Sequence, residues 1–150
     1  MSLKDRISSE LKDAMRAKDQ IRLDTLRSAL SAFSYRKIEA GRELEDVDQI
    51  EVVRRLVKQR TDSIAEYERG GRPELAAKEA HERDILLAML PAQKSPEEIR
   101  DVVRATLSGL PAGGRTQGAA MKLVMPKLRG EADGGAIRSI VLEELAALGT

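Results

Sequence analysis

The spacing of apolar residues is helical along the whole chain, and this pattern limits the possible folds more than any other feature. Apolar side chains recur every three or four positions, beginning with Leu3, Ile7, Leu11 and Met15. No stretch alternates between apolar and polar residues as a half-buried strand would. We therefore predict an all-α protein.

Helix start and stop signals divide this pattern into seven segments. The predicted helices cover approximately residues 3–15, 19–40, 46–69, 73–90, 96–108, 116–129 and 133–148. Asp46 with Gln49 resembles a capping box that opens the third helix. In the fourth helix, a polar first half (Glu74 to Asp84) precedes the apolar run Ile85 to Leu90. This contrast predicts a projecting start and a buried end.

A break near Pro91–Ser95 separates two predicted lobes. Pro91 ends the fourth helix, and Ser95-Pro96-Glu97-Glu98 is a strong helix start. We expect an N-terminal four-helix lobe over residues 1–93 and a C-terminal three-helix lobe over residues 94–150.

Composition restricts the classes of partner. The 26 basic and 25 acidic residues leave a net charge of +1, so any phosphate-binding surface must be a local patch. Aromatic residues are 2% of the chain and Trp is absent, which argues against base-stacking surfaces. With no cysteine, a charged start and no apolar run near the ~18 residues of a membrane span, we expect a cytoplasmic protein with no membrane partner.

Motifs for catalysis or cofactors are weak. Residues 109–116 have phosphate-loop spacing, but Arg115 replaces the lysine and the preceding segment is helical, so we predict a flexible linker. His81, the single histidine, lies on a charged helix face and lacks a zinc-ligand pattern. The pair Glu143-Glu144 is interpreted as a solvated helix edge. We predict no catalytic residue, no cofactor and no metal.

The helix–turn–helix segment from Gly118 to Gly134 is the strongest candidate for a binding function. Its first helix is expected to stop at Gly130, and Asp133 is expected to start the next one. No acidic residue occurs between Asp101 and Glu131, whereas five basic residues do. They are Arg104, Arg115, Lys122, Lys127 and Arg129.

Helical spacing predicts which of these basic residues share a helix face. Lys122 and Arg129 are seven apart and share a helix face, and Arg115 would join them if the helix started early. Lys127 points elsewhere unless a bend at Pro126 brings it round. We take Arg115, Lys122, Lys127 and Arg129 as candidate nucleic-acid contacts, with a solvated surface as the alternative. A weaker candidate is the cluster Arg54, Arg55, Lys58 and Arg60.

Several separated blocks of residues resemble the sequence pattern of one family and occur in the same order along the chain. They are Arg60, Asp62-Ser63-Ile64, Glu66, Gly70 to Lys78-Glu79, Ile85-Leu86, Leu90-Pro91, Met125-Pro126-Lys127, Gly130 and Ala132-Asp133-Gly134. Over nearly the whole chain this pattern resembles the YqeY (GatB/YqeY) family. The resemblance implies a small two-lobed helical protein, whose C-terminal part is similar to the tail domain of the GatB chain of the Asp/Glu-tRNA amidotransferase.

In that amidotransferase the tail contacts tRNA, while other domains carry ATP activation and amide transfer. The resemblance therefore implies a carbon–nitrogen ligase context with glutamine as amido donor. This chain departs from the family at three positions that often carry a cation, where it has Ala119, Glu131 and Gly135. Each loss of positive charge weakens a phosphate-binding role.

Three functions follow as hypotheses. The first is a non-catalytic module that engages tRNA, or a tRNA-dependent amidotransferase or aminoacylation assembly, while the N-terminal lobe sets spacing or docks a partner. The second is a protein–protein adaptor without nucleic-acid binding. The third, a free-standing ligase, would require glutamine and ATP sites that these residues do not provide, so any such activity would need other subunits.

Overall fold

The computed structural model describes residues 1–149, which form seven α-helices and no β-strand. The helices are α1 (Leu3–Ala17), α2 (Gln20–Ala40), α3 (Asp46–Arg69), α4 (Pro73–Met89), α5 (Pro96–Ser108), α6 (Gln117–Leu128) and α7 (Gly134–Ala147). A short 3-10 helix, Ala112–Gly114, lies in the loop before α6. The all-α prediction is confirmed. Within the described residues, no helix is both long enough and apolar enough to cross a membrane.

Local capping explains where most helices begin. Ser2 and Ser95 each accept a hydrogen bond from a backbone N–H three residues on, and the acidic residue there accepts one from the backbone N–H of the cap. Asp19 and Asp133 cap α2 and α7 through single bonds. Because these bonds need only neighbouring residues, the sequence predicts these starts to within one position.

The start of α3 differs slightly from the prediction. Glu45 is its N-cap, and Asp48 accepts a hydrogen bond from the Glu45 backbone N–H at 2.9 Å. The sequence instead indicated a pair of Asp46 and Gln49. The same Asp48 carboxylate accepts a hydrogen bond from the Arg42 guanidinium at 2.8 Å, a contact from outside the helix that the sequence pattern did not indicate.

One compact unit comprises Met1–Leu90. Its core joins α1, α2, the first half of α3 and the end of α4, with Ile7, Leu26, Val53 and Leu86 fully buried. No residue of α3 after Leu56 is buried, and α4 packs alongside α3. The polar first half of α4 is therefore paired with α3 rather than isolated.

The second compact unit begins at Pro91 and contains α5, α6 and α7, each packed against the other two. Val103, Val124, Leu128 and Ile137 are fully buried at its centre. Around them, apolar residues from all three helices close a separate core. This unit contains the basic segment.

Candidate functional site

Helix α6 exposes one face because its apolar residues occupy the opposite side. Thr116 caps the helix by accepting a hydrogen bond from the Ala119 backbone N–H at 3.2 Å. Ala120, Val124 and Leu128 follow at four-residue intervals and are fully buried. At about 100° per residue, this stripe directs the side of Gly118, Lys122 and Arg129 toward solvent.

Lys122, inside α6, and Arg129, the extended residue that follows its last turn, are both exposed, and helical spacing places them on this outer side. Neither side chain forms an ion pair or hydrogen bond within residues 1–149. Gly118 lies on the same side, and a Cβ at that position would meet no atom within 4 Å. We define Gly118, Lys122 and Arg129 as the α6 face.

Arg115 does not join the α6 face. The helix begins at Gln117, so the early start on which that expectation depended does not occur. Instead, the Arg115 Nε donates to the carbonyl oxygens of Leu107 and Leu110 at 3.0 and 3.2 Å. A cation at these carbonyls stabilises the end of α5, since they carry the negative end of its dipole.

Lys127 also makes an internal contact. Its Nζ donates to the Thr106 Oγ1 at 3.0 Å, and the Thr106 hydroxyl donates to the Val102 carbonyl at 2.8 Å. The ammonium group therefore bridges α6 to α5 and lies away from the α6 face. Pro126 lies inside α6, which nevertheless continues to Leu128.

A charge network between α5 and α7 uses another cation of the acid-free segment. The Arg104 Nε donates to Glu144 at 2.9 Å, and Arg100 donates to both Glu144 and Glu143 at 2.7 Å. Hydrogen bonds from Arg104 and Arg100 lower the pKa of the Glu144 carboxyl below its ordinary value. The same carboxylates raise the pKa of Arg100.

Glu144 corrects the interpretation of Glu143-Glu144 as a solvated edge. Its side chain is only 9% exposed, whereas that of Glu143 is 58% exposed. The sequence did not indicate this difference, because it does not show that the arginines of α5 face α7. A glutamate inside the apolar stripe of α7 was the one available signal.

The joint between α6 and α7 has the predicted form. Gly130 adopts φ +82°, a left-handed conformation, after the helix ends at Leu128. Asp133 then accepts from the Ala136 backbone N–H at 3.1 Å. The linker before α5 binds the joint, since the Lys94 N–H donates to the Glu131 carbonyl at 2.8 Å and Gln93 donates to the Gly130 carbonyl at 3.3 Å.

The remaining candidates belong to the N-terminal unit. His81 is exposed on α4. In the weaker basic cluster, Arg60 is largely buried, with its Nε 3.7 Å from a Glu82 carboxylate oxygen and its Nη2 3.5 Å from the Ser28 Oγ. Over residues 1–149, no three His, Asp or Glu side chains are grouped as metal ligands.

Proteins similar to this chain occur in several yeasts under the name "Altered inheritance of mitochondria protein 41, mitochondrial". The Kluyveromyces lactis protein is 38% identical over 81 residues, which cover 53% of this chain and 44% of that protein. The Vanderwaltozyma polyspora protein is 32% identical over 107 residues, covering 69% and 58%. The Saccharomyces cerevisiae (strain YJM789) protein is 31% identical over 131 residues, covering 85% and 68%.

These names contradict the expected cytoplasmic location, because they point to the mitochondrion. The expectation relied on the absence of cysteine, which indicates a reducing compartment without identifying it. The chain spans between 44% and 68% of the length of these three relatives.

The model of one family, described as Yqey-like protein, matches residues 4–145. The match includes nearly all of the core of both units and the joint between α6 and α7. The chain therefore belongs to the YqeY family.

Proposed function

We propose that this protein is a non-catalytic helical module that binds tRNA phosphates through the α6 face. The observation that carries the proposal is the pair of exposed, unpaired cations on one side of a helix, Lys122 and Arg129. Phosphate contacts need cations that are free of internal partners and close enough to act together. Arg115 and Lys127 instead bind a carbonyl and a hydroxyl group of α5, and so help to hold the α6 face in place.

The tRNA assignment also relies on the family resemblance. The C-terminal unit is similar to the amidotransferase tail that contacts tRNA, and tRNA is the polyanion that this resemblance implies. Any carbon–nitrogen ligase activity with glutamine as amido donor belongs, in this proposal, to other subunits of a tRNA-dependent assembly. Glu131, just after Arg129, reduces the local positive charge and makes the expected binding weak.

The test is a titration of the full chain with total tRNA at several salt concentrations. Lys122→Ala/Arg129→Ala should weaken binding and reduce the salt slope by about one unit for each lost contact. The matched control is Lys12→Ala/Arg27→Ala, because both residues are exposed on the N-terminal unit and the change in net charge is equal. Equal effects of the two double variants would contradict a specific α6 face.

A charge reversal at Glu131 tests whether added positive charge strengthens binding. Glu131→Lys should strengthen tRNA binding and steepen its salt dependence, since it removes a carboxylate beside Arg129 and adds a cation. Unchanged affinity in this variant and in the α6-face variant together would reject the proposal.

A protein–protein adaptor is the second candidate. It is favoured by two large side chains on α2, Tyr35 and Ile38, which are 74% and 77% exposed. No tRNA affinity at low salt, together with binding to a protein partner, would favour the adaptor.

A further inference from the structure

A surface groove of about 620 Å³ lies on the N-terminal unit, between the start of α1, the end of α2 and the turn before α3. Lys4, Phe33, Lys37, Ile38, Arg42 and Leu44 are among its lining residues, and we call it the α1–α2 groove. Its volume is in the range of clefts that hold ligands or anchoring side chains.

Phe33, Ile38 and Leu44 form the apolar part of the groove lining. Phe33 is 2% exposed and belongs to the core of the unit, and Leu44 packs against the same core. Ile38 stands at the rim with 77% of its surface exposed. An aliphatic side chain left in water at the edge of a groove is typical of a site that a partner side chain covers.

Cations outnumber carboxylates among the residues that line the groove. Lys4, Lys37 and Arg42 line it, against one lining carboxylate, Glu43. Lys37 pairs with Glu43 at 2.6 Å, and Arg42 pairs with Asp48 at 2.8 Å. Within residues 1–149, the Lys4 ammonium has no ion-pair partner, so it is the cation available to a ligand.

We propose that the α1–α2 groove docks an acidic, amphipathic helix of a partner protein. The partner places an apolar side chain against Leu44 and Ile38 and directs a carboxylate at Lys4. The exposed Ile38 favours a peptide over RNA, because RNA would leave this side chain uncovered and would find only one uncompensated cation. This proposal does not depend on tRNA binding, since the α6 face belongs to the other unit.

The probe is a synthetic helical peptide of ~18 residues, about five turns, with Leu on one face and Glu on its flanks. It is titrated into the full isotopically labelled chain and followed by NMR. We expect saturable shifts at the amides of Ser34, Ile38 and Leu44. Ile38→Asp should weaken binding about ten-fold or more, as for a central anchor residue.

The matched control is Ile21→Asp, which changes the same residue type on the same helix outside the groove, at a side chain already 41% exposed. It should leave the affinity unchanged, and a peptide with Lys in place of Glu should bind more weakly. The proposal is overturned by absent or non-saturable binding, by shifts elsewhere, by an equally strong Lys peptide, or by equal affinity for Ile38→Asp. A short RNA that saturates the same amides more tightly than the peptide also overturns it.

Discussion

At the scale of single residues, the basic side chains of the C-terminal unit divide by whether a protein group already binds them. Arg100 and Arg104 hold Glu144, and Arg115 holds the carbonyls at the end of α5. Lys122 and Arg129 have no such partner within the described chain. The first group stabilises the packing of helices, whereas the second is free to bind a polyanion at little structural cost.

Glu144→Gln tests the structural role of the first group. The pKa of Glu144 is lowered in the folded protein, so its stabilising effect is present above the ordinary glutamate value of 4.5 and is lost as pH falls below it. The variant should be less stable than the wild type at neutral pH, and the difference should shrink as the medium becomes acidic. Urea unfolding followed at amides of α5–α7 measures this.

Glu131→Gln is the matched control, because Glu131 is an exposed carboxylate of the same unit. This variant should lose stability toward urea in acid to the same extent as the wild type. If Glu144→Gln retained the full acid sensitivity of the wild type, the ion pairs to Arg100 and Arg104 would not contribute to stability.

At the scale of elements, short-range bonds determine most helix ends. Ser2, Asp19, Ser95 and Asp133 all act as caps where the sequence indicated helix starts. The one shift is at α3, where the N-cap is Glu45 instead of Asp46 and Arg42 binds Asp48 from outside the helix. Pattern alone does not show that an arginine before the helix would bind Asp48.

Gly130→Ala tests the joint between α6 and α7. Gly130 has φ +82°, so an added Cβ should destabilise the C-terminal unit by about 1–2 kcal/mol. The joint follows Arg129 directly, so tRNA affinity should fall as well. Thermal unfolding and the tRNA titration measure the two effects.

Gly118→Ala is the control within the same segment. Gly118 is helical and an added Cβ meets no atom within 4 Å, so the change should be neutral or stabilising by up to about 1 kcal/mol. Equal stability of the two variants would show that the left-handed conformation of Gly130 is not required.

At the scale of the whole molecule, the buried apolar residues form two separate clusters. One contains Ile7, Leu26 and Val53, and the other contains Val103, Val124 and Ile137. Each is closed by helices of its own unit. We therefore expect a core substitution to destabilise only the unit in which it lies.

Leu26→Ala should destabilise the unit Met1–Leu90 by about 2–5 kcal/mol, because it leaves a cavity in a fully buried site. Amide hydrogen exchange should accelerate in α1–α4 and remain unchanged in α5–α7. Val124→Ala is the reciprocal variant and should act on α5–α7 alone. A uniform acceleration in either variant would indicate that the two clusters unfold as one.

The sequence by itself determined the helical class, the number of helices and nearly all their limits, because periodicity and capping act over three or four residues. It also identified the helix stop at Gly130, which adopts a left-handed conformation. Only the tertiary structure decided that Arg115 and Lys127 bind α5 and that Glu144 is buried. These contacts join residues on different helices, and their formation depends on how the helices pack rather than on any local pattern.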